Sequence, residues 1–184
     1  MRANITLSAL LICLAGCTAG VTRPGNESRS SNAPLTEPAS ITLTLSEDAR
    51  KQIGENLKFD QNHLLEMLNR AFDAKGLLAK DPASAKRHLE VQVTDVRVRG
   101  TFSAIMFGFM AGNDHLNGKV SLADEENHAL RHFDVSAAYA LGGLGGGQDG
   151  ARLGWLYEKF TEQVVNEVAG AASPGDTKAV ASGK

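Results

Sequence analysis

At 184 residues the chain has room for one domain with extensions, and its 42% apolar content is enough for a buried core. A net charge of −2 lacks the basic balance of a nucleic-acid binder, so no nucleic acid is expected as a partner. Cysteine occurs only at Cys13 and Cys17, so everything beyond them must fold without a disulfide.

Arg2 precedes an apolar run from Ile5 to Leu14, with Thr6 and Ser8 as its polar members. The run is shorter than the roughly 20 residues a spanning helix needs and reads as the hydrophobic stretch of an export signal. It ends in Leu14-Ala15-Gly16-Cys17, which resembles the bacterial lipobox. Small residues let an extended backbone enter a peptidase site, and only a thiol accepts diacylglycerol as a thioether. Cys13 fails that test because bulky Ile12 precedes it. Residues 1–16 are therefore expected to be a lipoprotein signal peptide, with Cys17 the lipidated first residue of the mature chain. Each buried methylene contributes about 0.8 kcal/mol, and two or more chains anchor stably, so the membrane is an expected partner through this lipid. Thr18 stands where enterobacterial lipoproteins retained in the inner membrane carry an aspartate. That resemblance implies the periplasmic face of the outer membrane, with the inner membrane as the alternative.

From Thr18 to Ser40 the chain is rich in Pro, Gly, Ser, Thr and Asn, and apolar residues follow no period. Residues 17–40 are expected to be a lipidated, disordered tether. The small, polar residues 171–184 are expected to be a disordered tail. Between them, residues 41–170 read as one α+β domain.

Ile41, Leu43 and Leu45 alternate with threonines as a half-buried strand. Residues 47–58 are ambiguous: Ala49, Ile53 and Leu57 recur at helical spacing, but Gly54 weakens a helix. Asp60 is placed as an N-cap, with Phe59 and Leu64 able to staple the helix start. The stripe Leu64, Leu68, Ala71 and Phe72 follows, and Gly76 stops it. Leu89, Val91 and Val93 occupy odd positions and Val96 and Val98 even ones, a phase change that requires a bulge near Thr94-Asp95. Leu116, Val120 and Leu122, then Phe133, Val135, Ala137 and Tyr139, form a hairpin about the polar turn Asp124 to His128. The last helix carries Leu153, Leu156, Tyr157, Phe160, Val164 and Val168 on one stripe and ends near Gly170. The economical architecture is a small antiparallel sheet of about four strands, in the order β-α-β-β-β-α, with two helices packed on one face. The other face would carry Glu90, Gln92, Asp134 and Ser136.

Patterns that suggest chemistry have plainer readings. Gly145 to Gly150 matches G-x-G-x-x-G, but the chain then enters its last helix, so no βαβ unit is completed and the glycines read as a connection. His128 and His132 are four apart, but across a turn and a strand that spacing separates them by about 13 Å. With Asp114 and His115 they could form a surface site; solvated histidines are the expectation, with no metal and no cofactor. Asp124, Glu125 and Glu126 read as solvated turn residues. No G-x-S-x-G elbow or mature nucleophilic cysteine occurs, so no catalytic residues are assigned and no enzyme is expected. Phe102 to Ala111 is the most apolar run beyond the signal, and it lies where a connection should be polar. Phe102, Ile105, Met106, Phe107, Phe109 and Met110 either complete the core or form an exposed partner contact. Trp155 lies off the main stripe of the last helix.

Four segments resemble, in order and spacing, the bacterial family known as "domain of unknown function 4410". They are Leu89 to Arg99, Phe107 to Gly112, Leu116 to Asp124 and Phe133 to Ala137. Gly142-Gly143 and the helix Arg152 to Phe160 extend the likeness. The resemblance implies a location and an architecture, and it carries no catalytic residues. The expected function is a non-enzymatic binding or envelope-assembly module on the outer membrane, working with an envelope protein. The alternatives are a self-associating structural lipoprotein and a small-ligand or metal-binding periplasmic protein.

Overall fold

The computed structural model describes residues 17–23, 34–54, 59–99, 112–140 and 149–170. Its strands are β1 (Thr18–Thr22), β2 (Ala39–Leu45), β3 (Arg87–Arg97), β4 (Asp114–Asp124) and β5 (Ala129–Tyr139). Its α-helices are α1 (Glu47–Gly54), α2 (Gln61–Asp73) and α3 (Asp149–Ala169), and a 3₁₀ turn lies at Pro82–Ser84. The strands form one sheet in the order β1-β5-β4-β3-β2.

The α+β class stands, but three details of the expected architecture are corrected: the strand directions, the strand count and the helix count. The sheet is mixed and five-stranded, because β2 and β3 run parallel from the pair Ala39↔Arg87 to Leu45↔Val93. Parallel neighbours cannot be joined by a tight turn, and the passage through α1 and α2 supplies the long crossover. The fifth strand is β1, antiparallel to β5 from Thr18↔Ala138 to Thr22↔Asp134. It lies inside the stretch expected to be a disordered tether. A neighbouring strand satisfied its backbone where its own composition gave no strand signal. Pro34 to Pro38 is ordered too: Leu35 is buried, and its N–H donates to the Val168 carbonyl at 2.9 Å. Residues 1–16, 24–33 and 171–184 lie outside the described residues.

The alternations read from sequence are the ones that face the core. Leu89, Val91, Val93 and Val96 are buried on β3, and the register shifts between Val93 and Asp95, at the bulge. Leu116, Val120 and Leu122 are buried on β4, and Phe133, Val135 and Ala137 on β5. Glu90, Asp134 and Ser136 are exposed on the opposite face, with Gln92 half-buried. Helix α3 buries its whole predicted stripe, and Phe160 lies over Gly118 of β4. A Cβ on Gly118 would stand 2.8 Å from Phe160 Cζ and 2.9 Å from the Gln92 carbonyl, so the glycine is a notch for the ring. Helix α2 begins as its cap predicts, Asp60 accepting from the His63 N–H at 3.0 Å. Phe59 rests edge-on against Tyr157 of α3, with ring centroids 5.5 Å apart.

Helix α1 is the third helix, and it takes over where β2 ends. Beyond Leu45 the outer edge of β3 has no strand partner among the described residues. There Gln52 accepts from the Val96 N–H at 3.0 Å and donates to Asp95 Oδ1 at 2.8 Å. The free edge of β2 is also partly occupied. Ala39 exchanges hydrogen bonds with Leu77 and Ala79, and Gln61 donates to the Leu43 carbonyl. Such coverage blunts a strand that could otherwise pair with another chain.

Replacing Gly118 with valine should destabilise the fold by about 1–3 kcal/mol, because both Phe160 and the Gln92 backbone must move. Urea unfolding of the variant against the parent measures it. Burial pushes the Tyr157 phenol up to about 12, although the nearby Asp60 N–H donates to its oxygen at 2.7 Å and works the other way. In the unfolded chain a tyrosine titrates near 10. The folded state therefore holds this proton more tightly. Its contribution is complete below pH 10 and is lost as pH rises toward 12. The Tm difference between the parent and Tyr157→Phe should shrink across that window in thermal melts from pH 8 to 11.5.

Candidate functional site

Cys17 is the sole cysteine among the described residues; it is half-buried and makes no disulfide. The next residue, Thr18, already pairs with Ala138. One step further along the same register, Cys17 comes beside Tyr139, the last residue of β5. The Tyr139 ring meets Trp155 of α3 edge-on, with centroids 5.3 Å apart, and both rings are only partly buried. Trp155 thus lies off the stripe of α3 because its partner is the end of β5. The candidate lipid-bearing thiol and an aromatic pair share one end of the sheet.

That end is held by a buried ionic cluster. Asp114 opens β4, and both its side chain and those of Arg99 and Arg152 are buried. Asp114 Oδ1 accepts from the Arg99 backbone N–H at 2.7 Å and from Arg99 Nε at 3.0 Å, and Oδ2 accepts from Nη2 at 3.2 Å. Arg152 Nε lies 2.7 Å from Asp114 Oδ2 and forms an ion pair with it. Arg152 Nη2 reaches the Asp149 carboxylate at 2.8 Å and also donates to the Arg99 carbonyl. Two guanidiniums thus face two carboxylates. The cluster ties the last residues after β3, the start of β4 and the first turn of α3 together.

A second cluster closes the other end of α3. Arg23, just after β1, grips the Glu167 carboxylate through two nitrogens, with Nε–Oε1 at 2.8 Å and Nη2–Oε2 at 2.5 Å. Arg131 of β5 donates to the Glu167 carbonyl at 2.7 Å. Burial lowers the Arg131 pKa, Glu167 opposes that, and Arg23 adds to it. A cation at the last carbonyls of a helix is favourably placed against its dipole. Through Arg23 this cluster also fastens the strand that follows Cys17.

The structure does not bring the histidines together. His115 pairs with Asp95 at 2.7 Å, and His132 shares a hydrogen bond with Ser121 at 2.8 Å. In the register His115 faces Ala138 and His132 faces Ser121, so they lie far apart along the hairpin. Asp114 turns inward to the arginines, which removes it from the surface site the sequence allowed. His128 lies 3.4 Å from both Asp124 and Glu126 in an exposed turn. Asp124 accepts from the Glu126 and His128 N–H groups, and the bond from His128 most of all lowers its pKa. This is the carboxylate role in a turn. The glycines from 142 to 147 and the apolar residues Phe102, Ile105, Met106, Phe107, Phe109 and Met110 lie outside the described residues. No helix among the described residues is long and apolar enough to cross a membrane.

Asp114→Asn keeps the shape of the side chain and removes its charge, leaving two buried guanidiniums short of an anion. It should destabilise the domain by about 3–5 kcal/mol in urea unfolding. Asp134→Asn, on the exposed face, should change stability by less than about 0.5 kcal/mol.

Sequence comparison with curated proteins gives no match. By shape the chain is similar to a PelC dodecamer subunit from Paraburkholderia phytofirmans, at 10% identity and a TM-score of 0.47. The alignment covers 83% of this chain and 98% of that one. A single-substitution variant of the same protein in another crystal form gives 0.46, with the same identity and coverage. A likeness at that level carries no argument about function. The sequence profile of the family described as "Domain of unknown function (DUF4410)" matches residues 30–143. That stretch is more than half of the chain and spans β2 to β5, and the chain belongs to this family.

Proposed function

We propose that the chain is a lipid-anchored binding or assembly module of the bacterial envelope. It is exported, cut before Cys17, acylated on that thiol and held at the periplasmic face of the outer membrane. It works without catalysis, through contact with an envelope protein. The observation that carries this reading is Leu14-Ala15-Gly16-Cys17, followed at once by a folded domain with no other cysteine. Small residues before a lone thiol suit signal cleavage and thioether formation. Acyl chains on the thiol supply the membrane affinity. The partner contact is assigned to Phe102–Met110, whose apolar side chains are more than a polar connection needs. Self-association along a sheet edge has less support. The β2 edge is partly occupied by Leu77, Ala79 and Gln61, and β1 is only five residues long.

In cells making the full chain, the mature N-terminal peptide should carry diacylglycerol on Cys17 by mass spectrometry. Cys17→Ser should move the protein from the detergent phase to the aqueous phase on Triton X-114 partition. An unmodified cysteine, or a serine variant equally retained, overturns the reading. A photo-reactive residue at Phe107 should crosslink to one envelope protein. Crosslinks only between copies of the chain would favour self-association instead.

A further inference from the structure

We propose that the domain stands directly on the bilayer. In this arrangement the end of the sheet bearing Cys17, Tyr139 and Trp155 is seated in the membrane interface, and the Asp124–His128 turn is the point farthest from it. This rests on acylation of Cys17 and goes beyond it, since an anchored domain could equally hang from a linker.

Strand register carries the argument. A lipoprotein with 23 flexible residues after its cysteine could drift about 25–30 Å from the headgroups. Here no such length exists. Thr18 is hydrogen-bonded into the sheet opposite Ala138, so at most one residue, about 3.5 Å of chain, separates the sheet from the acylated sulfur. Glycerol on that sulfur sits at the boundary between headgroups and acyl chains. The end of β5 must therefore lie within a few ångströms of the same depth.

The side chains at this end suit that depth. Tyr139, beside Cys17 in the register, and Trp155 against it are partly buried aromatics, each with an apolar body and a polar tip. Tryptophan and tyrosine concentrate at membrane–water boundaries for that reason. Arg97, exposed at the end of β3, lies at the same end of the sheet and suits an anionic headgroup layer. A cluster of turn carboxylates lies at the opposite end. Asp124, Glu125 and Glu126 occupy the β4–β5 turn, ten strand steps or about 34 Å along β5 from Tyr139.

Trp155 is the sole tryptophan in the chain, so it reports its own depth. The lipidated full-length protein is reconstituted into phosphatidylethanolamine–phosphatidylglycerol vesicles, with or without lipids brominated on their acyl chains. Its N-terminal mass and vesicle flotation are measured on the same sample. Trp155 emission should fall roughly twofold with brominated lipid, as expected for a group within the outer ~5–10 Å of the acyl boundary. A Leu130→Trp, Trp155→Phe variant places the indole near the far turn, where Leu130 is already 42% exposed. Its emission should not change with bromination. A lipidated, floating protein whose Trp155 is unquenched, or whose two tryptophan positions are quenched alike, overturns the upright seating while leaving the anchor intact. A chain that carries no lipid and does not float overturns the anchor, and the seating with it.

Discussion

The shape of this domain depends on the meeting of Asp114 with Arg99 and Arg152. Buried charge is expensive unless it is matched and hydrogen-bonded. Here the match is made between three distant parts of the chain: the exit from β3, the start of β4 and the first turn of α3. Asp149 supplies the second carboxylate at the mouth of the cluster. Apolar packing alone would let α3 slide along the sheet, since Leu and Val side chains tolerate small shifts in register. A carboxylate fixed between two guanidiniums does not. It sets where the first turn of α3 lies, and from there Phe160 falls into the notch at Gly118. At the far end of the helix Arg23 and Arg131 fix Glu167 in the same way. The helix is greasy in the middle and pinned by ions at both ends.

That pinning is also what makes β1 part of the fold. Five residues with a glycine at their centre bury little, and an edge strand of that kind frays readily. Arg23 follows it immediately and closes a two-nitrogen grip on a carboxylate whose side chain is 7% exposed. A charge pair this sheltered is screened less than a surface pair and holds the strand against the edge of β5. The position of Cys17 is therefore set by an ion pair six residues away and by the strand between them.

The sequence made the core legible because its signals were local. Period-2 runs at Leu89–Val93 and Phe133–Ala137, the phase change at Thr94-Asp95, the cap at Asp60 and the stripe of α3 each lie within a few residues of themselves. What was missed depends on partners distant in the chain. Thr18–Thr22 reads as linker, and only the free edge of β5 makes it a strand. Nothing local tells whether β2 joins its neighbour in parallel. Gln52 is an ordinary helix residue until β2 ends at Leu45 and leaves it the Val96 N–H. The ionic clusters did leave a signal. Asp114 is in phase with Leu116, Val120 and Leu122, and Arg131 is in phase with Phe133 and Val135. Arg152 is one turn before Leu156 on the apolar stripe. Charged residues at core-facing positions mark buried pairs, and reading them as such would have found both clusters, though not which residues pair.

Acylation of Cys17, as proposed, would put a lipid anchor and a folded strand in consecutive residues and change what anchoring means. A long linker fixes only the distance a domain can wander, and it leaves orientation to chance. When the linker is absent, the acyl chains act on the sheet as a rigid body. Methylenes that hold such a protein to a bilayer would then also select which end of it faces the headgroups. The aromatic pair Tyr139–Trp155 lies where acylation of Cys17 would concentrate lipid, so even weak partitioning of those rings would become intramolecular. The connections that leave Arg99 and return to Gly112 start and finish at that end as well, because β3 and β4 are antiparallel neighbours there. With an acyl group on Cys17, orientation would follow from strand register, because the same ladder that places Cys17 beside the end of β5 puts the β4–β5 turn at the opposite end of the sheet.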